Sequence, residues 1–141
     1  ALALGADACI NYRSSDITAA ALGITEGKGV NAVFENIADP NLWPGAFNSL
    51  AKNGTLVTVG AHGGGDVTLD VRRLYRDGLT IKSGLWYSHA GDADNALALA
   101  AAGRYRAEIH TVLPLSQAPE AHRIASRSDT FGKVVMDPTL G

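Results

Sequence analysis

The feature that most constrains this chain is a rhythm: short apolar runs alternate with stretches of helical periodicity, and Gly, Asp or Asn marks nearly every boundary. Residues 30–37 read as a strand. With Val33 and Phe34 adjacent, the run suits burial on both faces of a parallel sheet better than alternation toward water. Further strands are expected at 55–60, 79–86, 109–113 and 133–136, with a short one at 8–11. Asp16 is placed to cap a helix in which Ile17, Ala20, Ala21 and Leu22 share a face. Either Asn41 or Asp39 caps the next, whose buried stripe is Leu42, Trp43, Ala46, Phe47 and Leu50. Pro44 then falls in the first turn, where amide donors are unpaired anyway, and Lys52-Asn53-Gly54 ends the helix. Asp70 opens a short helix over 71–76, stopped by Asp77-Gly78. Asp92 caps a helix that ends at Gly103, and Ser116 caps the last one. Strand and helix alternating with short connections argue for an α/β doubly wound parallel sheet, read as one domain over residues 1–141.

The opening residues sharpen that expectation. Leu2-Ala3-Leu4 followed by Gly5 reads as the last turn of a helix with a glycine cap. Gly-x-Gly-x-x-Gly between a strand and a helix, the dinucleotide fingerprint, does not occur. The chain is therefore expected to begin in mid-fold.

Charge and cysteine content narrow the class. Lys and Arg number 12 against 14 Asp and Glu, for a formal net charge of -2, which gives no electrostatic footprint for nucleic acid or an anionic membrane. No apolar stretch approaches the roughly 20 residues needed to span a bilayer. The single cysteine, Cys9, excludes an internal disulfide and a zinc site built from several cysteines. In the apolar run Ala8-Cys9-Ile10 it reads as a buried thiol, and the composition fits a reducing, cytoplasmic setting.

In open parallel sheets ligands bind outside the carboxyl ends of the strands. The positions to examine are therefore 11–13, 35–38, 59–62 and 83–86. Gly60 and Gly84 stand where strands run out and would let a ligand approach bare backbone. Gly63-Gly64-Gly65 reads as a flexible surface loop rather than a phosphate cradle. His62, His89, His110 and His122 are scattered without metal-ligand spacing, and no side chain is assigned a catalytic role.

Several segments, taken in order, resemble the medium-chain dehydrogenase/reductase superfamily, which includes zinc-type alcohol dehydrogenases and NADPH:quinone oxidoreductases. They are Leu4-Gly-Ala-Asp-Ala-Cys-Ile-Asn-Tyr-Arg13, Thr25-Glu-Gly-Lys-Gly-Val30, Val33-Phe-Glu35 and Leu50-Ala-Lys-Asn-Gly-Thr-Leu-Val57. Val59-Gly-Ala61, Leu113-Pro-Leu115, Glu120-Ala-His122 and Gly132-Lys-Val-Val135 before Pro138 complete the series. The resemblance implies a Rossmann cofactor-binding domain. It implies too that a GroES-like catalytic domain and the phosphate-binding glycines lie outside these residues, and that the chain alone would be inactive.

It also implies a site. Val59, Gly60 and Ala61 would lie near the nicotinamide, with Asn36 and Ile37 on the neighbouring strand end, and Gly84, Leu85 and Trp86 across the carboxamide or its ribose. Tyr12 matches a tyrosine that packs near the adenosine ribose and its 2′-phosphate. Arg127 falls where the family places a phosphate-binding arginine, one residue out of register, and Lys133 is a further candidate. NADP is preferred, with NAD possible; zinc-dependent and zinc-free members both stay open. The implied substrate is a small alcohol, carbonyl or quinone, and the implied assembly a homodimer paired through the edge strand near 79–86. Two other readings remain: an S-adenosylmethionine-dependent methyltransferase, which would end in an antiparallel hairpin, and a non-enzymatic nucleotide- or RNA-binding protein.

Overall fold

A computed structural model describes residues 1–84, 89–127 and 129–140. It divides into two compact units, Ala1–Tyr87 and Ser88–Gly141.

The first unit opens with a single 3-10 turn, Leu2–Leu4, closed by Gly5 in the left-handed conformation (φ 97). The glycine cap is as expected; the turn before it is tighter than an α-helix. Helix α1 spans Ile17–Ile24, and the Asp16 carboxylate accepts from the Ala19 amide at 2.7 Å. That bond satisfies one of the orphan donors of the first turn. Strand β1 is Val30–Glu35, helix α2 Trp43–Asn48, strand β2 Leu50–Thr58, helix α3 Val71–Arg76 and strand β3 Thr80–Ser83. The three strands form one parallel sheet in the order β1-β2-β3, so consecutive strands are neighbours and each crossover carries a helix.

The core lies on one face of this sheet. Leu56, fully buried, pairs in register with Val33 and Ile81. Above that row pack Trp43 and Phe47 of α2, Leu50, Leu79, and Leu74 of α3. Burying a side chain of that size stabilises by roughly 2 kcal/mol. The opposite row, Phe34–Val57–Lys82, is not covered within the unit: Phe34 is 71% exposed. The expectation that β1 is buried on both faces is thereby corrected for this unit, because its helices gather on one side.

Other sequence expectations are corrected locally. Residues 8–11 make no ladder with any described strand, and Cys9 between them is exposed, not buried. Lys52-Asn53-Gly54 does not end α2, which stops at Asn48 with Ser49 as its cap. The tripeptide is instead a kink inside β2, where the register against β1 jumps from Val30↔Leu50 to Ala32↔Thr55. Asn53 sits there at φ 60 and donates its amide to the Asp77 carbonyl at 2.8 Å. The turn chemistry of the tripeptide thus serves a bulge, not a helix end.

In the second unit, helix α4 is Asp92–Ala101, strand β4 Ile109–Pro114, helix α5 Ala118–Ala125 and strand β5 Lys133–Asp137, with a 3-10 turn, Leu115–Gln117, leading into α5. Asp92 is not the cap of α4. Gly91 holds that position, and the Asp92 carboxylate accepts from the His89 amide just ahead of the helix. Nor does Ser116 cap α5: it lies within the 3-10 turn, and Gln117 is the boundary residue. Strands β4 and β5 pair in parallel, with α5 packed on them through the buried Ala121. The antiparallel hairpin that a methyltransferase would need is replaced by this parallel pair.

Candidate functional site

The carboxyl ends of β1, β2 and β3 are tied into one rim. Glu35 ends β1 and pairs with Thr58, the end of β2. Its carbonyl accepts from the Val59 amide at 2.9 Å, while the Thr58 carbonyl accepts from the Gly84 amide at 2.8 Å. The Glu35 carboxylate folds back over the loop that follows it. Oε1 accepts from the amides of Ile37 and Ala38, both at 2.7 Å, and Oε2 from the Thr58 hydroxyl at 3.2 Å.

The loop after β2 is pinned to the loop after β1. The Ile37 carbonyl accepts from the Gly63 amide at 2.6 Å and the Ala38 carbonyl from the Gly65 amide at 3.3 Å. A side chain at Gly63 would run into the Asp39 backbone, whose nearest atom lies 2.8 Å from a Cβ placed there. Gly63-Gly64-Gly65 is thus neither a free surface loop nor a phosphate cradle, since the amides of Gly63 and Gly65 are already donated. Asp39 continues the chain of anchors: its Oδ1 accepts from the amides of Asn41 and Leu42 at 2.7 and 3.3 Å, starting α2. Neither of the two caps left open by the sequence holds the N-cap of α2: Leu42 does, with no side-chain cap bond, and Asp39 fixes the turn just ahead of it.

The structure brings the expected residues Asn36, Ile37, Val59, Gly60, Ala61 and Gly84 to this rim. It revises why two of them are glycine. A Cβ on Gly60 would meet the Asn36 carbonyl, and one on Gly84 would meet the Val59 side chain. Both allow close packing between neighbouring strand ends, a role beside any approach they leave to a ligand. Outward the rim presents Ile37 and Val59, each 42% exposed, beside the exposed Asn36; the two apolar side chains suit a flat ring. Leu85 and Trp86 lie outside the described residues.

Tyr12 is not part of the rim. Its exposed ring lies 5.9 Å from the Arg13 guanidinium and borders a cavity of about 280 Å³ with Asp16, Thr18, Asn41 and Pro44. In the second unit, Arg127 and Lys133 line one shallow cavity of about 290 Å³ with Thr130 and Gly132. Two cations around a polar hollow of that size suit an anionic group. Lys133 begins β5, so it lies at the amino end of its parallel pair, opposite the end where the strand rule looks for ligands. Glu35 opens the 35–38 span, yet the resemblance does not single it out. Its signal was an acidic side chain closing a strand just ahead of loop amides that need an acceptor.

Among the described residues no group of three or more His, Cys, Asp or Glu side chains is placed to hold a metal ion. Nor is any helix long and apolar enough to cross a membrane.

Residues 4–136 match the model of the family described as zinc-binding dehydrogenase. No curated protein matches the chain. Among solved structures, an NAD-dependent alcohol dehydrogenase is 26% identical with a TM-score of 0.79, over 96% of this chain and 39% of that one. A cobalt- and zinc-bound thermostable alcohol dehydrogenase from Pyrobaculum aerophilum is 28% identical with a TM-score of 0.77, over 95% and 37%. A quinone oxidoreductase from Pseudomonas syringae pv. Tomato shares the fold, with a TM-score of 0.75 at 24% identity over 97% and 44%. The chain thus spans less than half the length of each.

Proposed function

The chain belongs to the zinc-binding dehydrogenase family, and on that premise we propose that it supplies the nicotinamide-side contacts of an oxidoreductase. The reaction is hydride transfer between NAD(P)H and a small alcohol, carbonyl or quinone. The observation that carries this reading is the rim: three parallel strand ends, locked to one another, with Ile37 and Val59 exposed on it. Bound there, the nicotinamide would give a hydride to a carbonyl or quinone, or take one from an alcohol. The residues' own task is to hold one face of the ring toward the substrate, which lowers the barrier by fixing orientation in advance. Asn36, Gly60, Ala61 and Gly84 would contribute backbone and amide groups to the carboxamide, with Leu85 and Trp86 beyond β3.

NADP is the proposed cofactor. Tyr12 would pack against the adenosine ribose, and the Arg127–Lys133 cavity would take phosphate. The zinc of the family name finds no ligand set among the described residues. We propose a homodimer as well, paired through β3, which among the described residues stands at one edge of its sheet; such an edge is a ready template for pairing.

The test is a fluorescence titration of the full-length natural protein with NADPH and with NADH. NADPH is expected to bind the tighter of the two. Replacing Arg127 and Lys133 together by Ala should weaken NADPH by roughly 10- to 100-fold, the loss of one or two charge-assisted bonds. NADH should change by less than about threefold. Equal losses for both would sink the NADP assignment, and no binding of either would sink the reading itself.

A further inference from the structure

We infer that Glu35 is the positioning residue of the rim: its carboxylate sets the geometry of both loops on which the nicotinamide rests, without touching the ligand. The inference rests on the cofactor reading above and adds a residue to it.

Three donors converge on this one carboxylate, and they come from two strands' ends. The amides of Ile37 and Ala38 both reach Oε1, and the Thr58 hydroxyl reaches Oε2. An ionised carboxylate has about four acceptor sites, so most of this one is committed inside the protein. That leaves Glu35 poorly suited to act as a base or a ligand, and well suited to fix the loop that begins next to it.

The loop needs fixing. Ala38 is buried and sits at φ 52, in the left-handed region that disfavours residues with a Cβ. A strained backbone persists only where its surroundings over-determine it, and the bond from the Ala38 amide to Glu35 is part of that surrounding.

The consequences then pass along the rim. The carbonyls of Ile37 and Ala38 accept from Gly63 and Gly65, so the second loop takes its place from the first. The Thr58 leg runs to the adjoining strand, whose next residue, Val59, is one of the two exposed apolar side chains of the rim. One carboxylate therefore governs where both Ile37 and Val59 stand. Glutamine is nearly isosteric: its one carbonyl oxygen can still take both amides, and its NH2 group can donate to the Thr58 hydroxyl. Alanine removes every leg of the clip.

The experiment compares Glu35→Ala, Glu35→Gln and Thr58→Val in the full-length natural protein, reading cofactor Kd, KM and kcat together with amide exchange. In the unmodified protein the amides of Ile37, Ala38, Gly63 and Gly65 should be protected. In Glu35→Ala they should exchange faster while amides in the middle of β1 and β2 keep their protection. Cofactor Kd and KM should rise about 10-fold or more with a smaller change in kcat. Thr58→Val should fall between wild type and Glu35→Ala, and Glu35→Gln should stay within about threefold of wild type.

A folded Glu35→Ala protein with unchanged cofactor Kd would overturn the inference, since the carboxylate would then serve stability alone. Should Glu35→Ala not fold, Thr58→Val and the exchange rates of the unmodified protein decide: unprotected Ile37 and Ala38 amides, or an unchanged Kd in Thr58→Val, would overturn it equally. If the unmodified protein binds neither NADPH nor NADH, the cofactor reading fails. The clip as a device of the fold is then judged by the exchange rates.

Discussion

Ala38 is a methyl group held where the backbone favours glycine. Two substitutions there separate strain from packing. Ala38→Gly releases the strain but loses a buried methyl and loosens the unfolded chain, so urea unfolding should shift by less than about 1 kcal/mol. Ala38→Val puts a branched side chain into the same left-handed, buried position and should cost about 2 kcal/mol or more. Equal stability for the two would mean that the position is not strained. At Gly60 the constraint is a neighbour, the Asn36 carbonyl. Gly60→Ala should therefore force the ends of β1 and β2 apart, costing about 1–3 kcal/mol in urea unfolding and weakening the cofactor. Trp43 carries the reverse problem, for its buried Nε1 has no hydrogen-bond partner among the described residues. That orphan donor costs about 1–3 kcal/mol, so Trp43→Phe should be cheaper than its lost volume suggests.

At the scale of elements, Arg73 of α3 locks α2 to β2. Its guanidinium donates to the Phe47 carbonyl at 2.6 Å, to the Asn48 side chain at 3.1 Å and to the Leu50 carbonyl at 2.8 Å. It also lies 5.3 Å from the centre of the Phe47 ring and 3.4 Å from Asp77. A lysine keeps the charge but not the fork, and Arg73→Lys should lower stability by about 2 kcal/mol in urea unfolding. A loss under about 0.5 kcal/mol would show that water replaces the fork without penalty.

Asp77, at the end of the same helix, is held below the ordinary aspartate value of 3.8 by its hydrogen bond from Arg76, with burial pushing the other way and the charges of Arg76, Arg73 and Lys52 adding to the depression. A carboxyl depressed in the folded state gives stability that is present above its unfolded value, near pH 4. That stability is lost as pH falls through the lower folded value. Glu120 behaves alike through its bond from Arg123, and Asp137 through its bond from the Thr139 hydroxyl. Asp77→Asn should accordingly destabilise at pH 7 and cost less at pH 2.5. An equal cost at both would rule out titration as the cause.

Much of the element order was legible because boundaries are written in local chemistry: Asp16 and Asp70 cap the helices they were expected to cap. What the sequence hid was of two kinds. Lys52-Asn53-Gly54 carries turn chemistry that β2 takes up as a bulge, and Ser116 falls inside a 3-10 turn ahead of the helix boundary. The rim's anchors, such as Glu35 and Gly63, matter through partners that folding alone brings close.

For the molecule as a whole, the proposed dimer has a direct test. Sedimentation of the full-length natural protein should give twice the monomer mass, and Ile81→Pro on edge strand β3 should shift it toward monomer. Pro takes a donor from the ladder and cannot extend it. A monomer before any substitution would end that proposal.

Every strand pair described here is parallel: Val30 meets Leu50, Thr55 meets Thr80, and Ile109 meets Lys133. None can form as a local hairpin, so each must close a loop of some twenty residues or more before a single ladder bond rewards it. The chain should fold late and all at once, in milliseconds to seconds rather than microseconds. During that interval its apolar strands stand open to other chains, and the yield of refolding should fall as protein concentration rises.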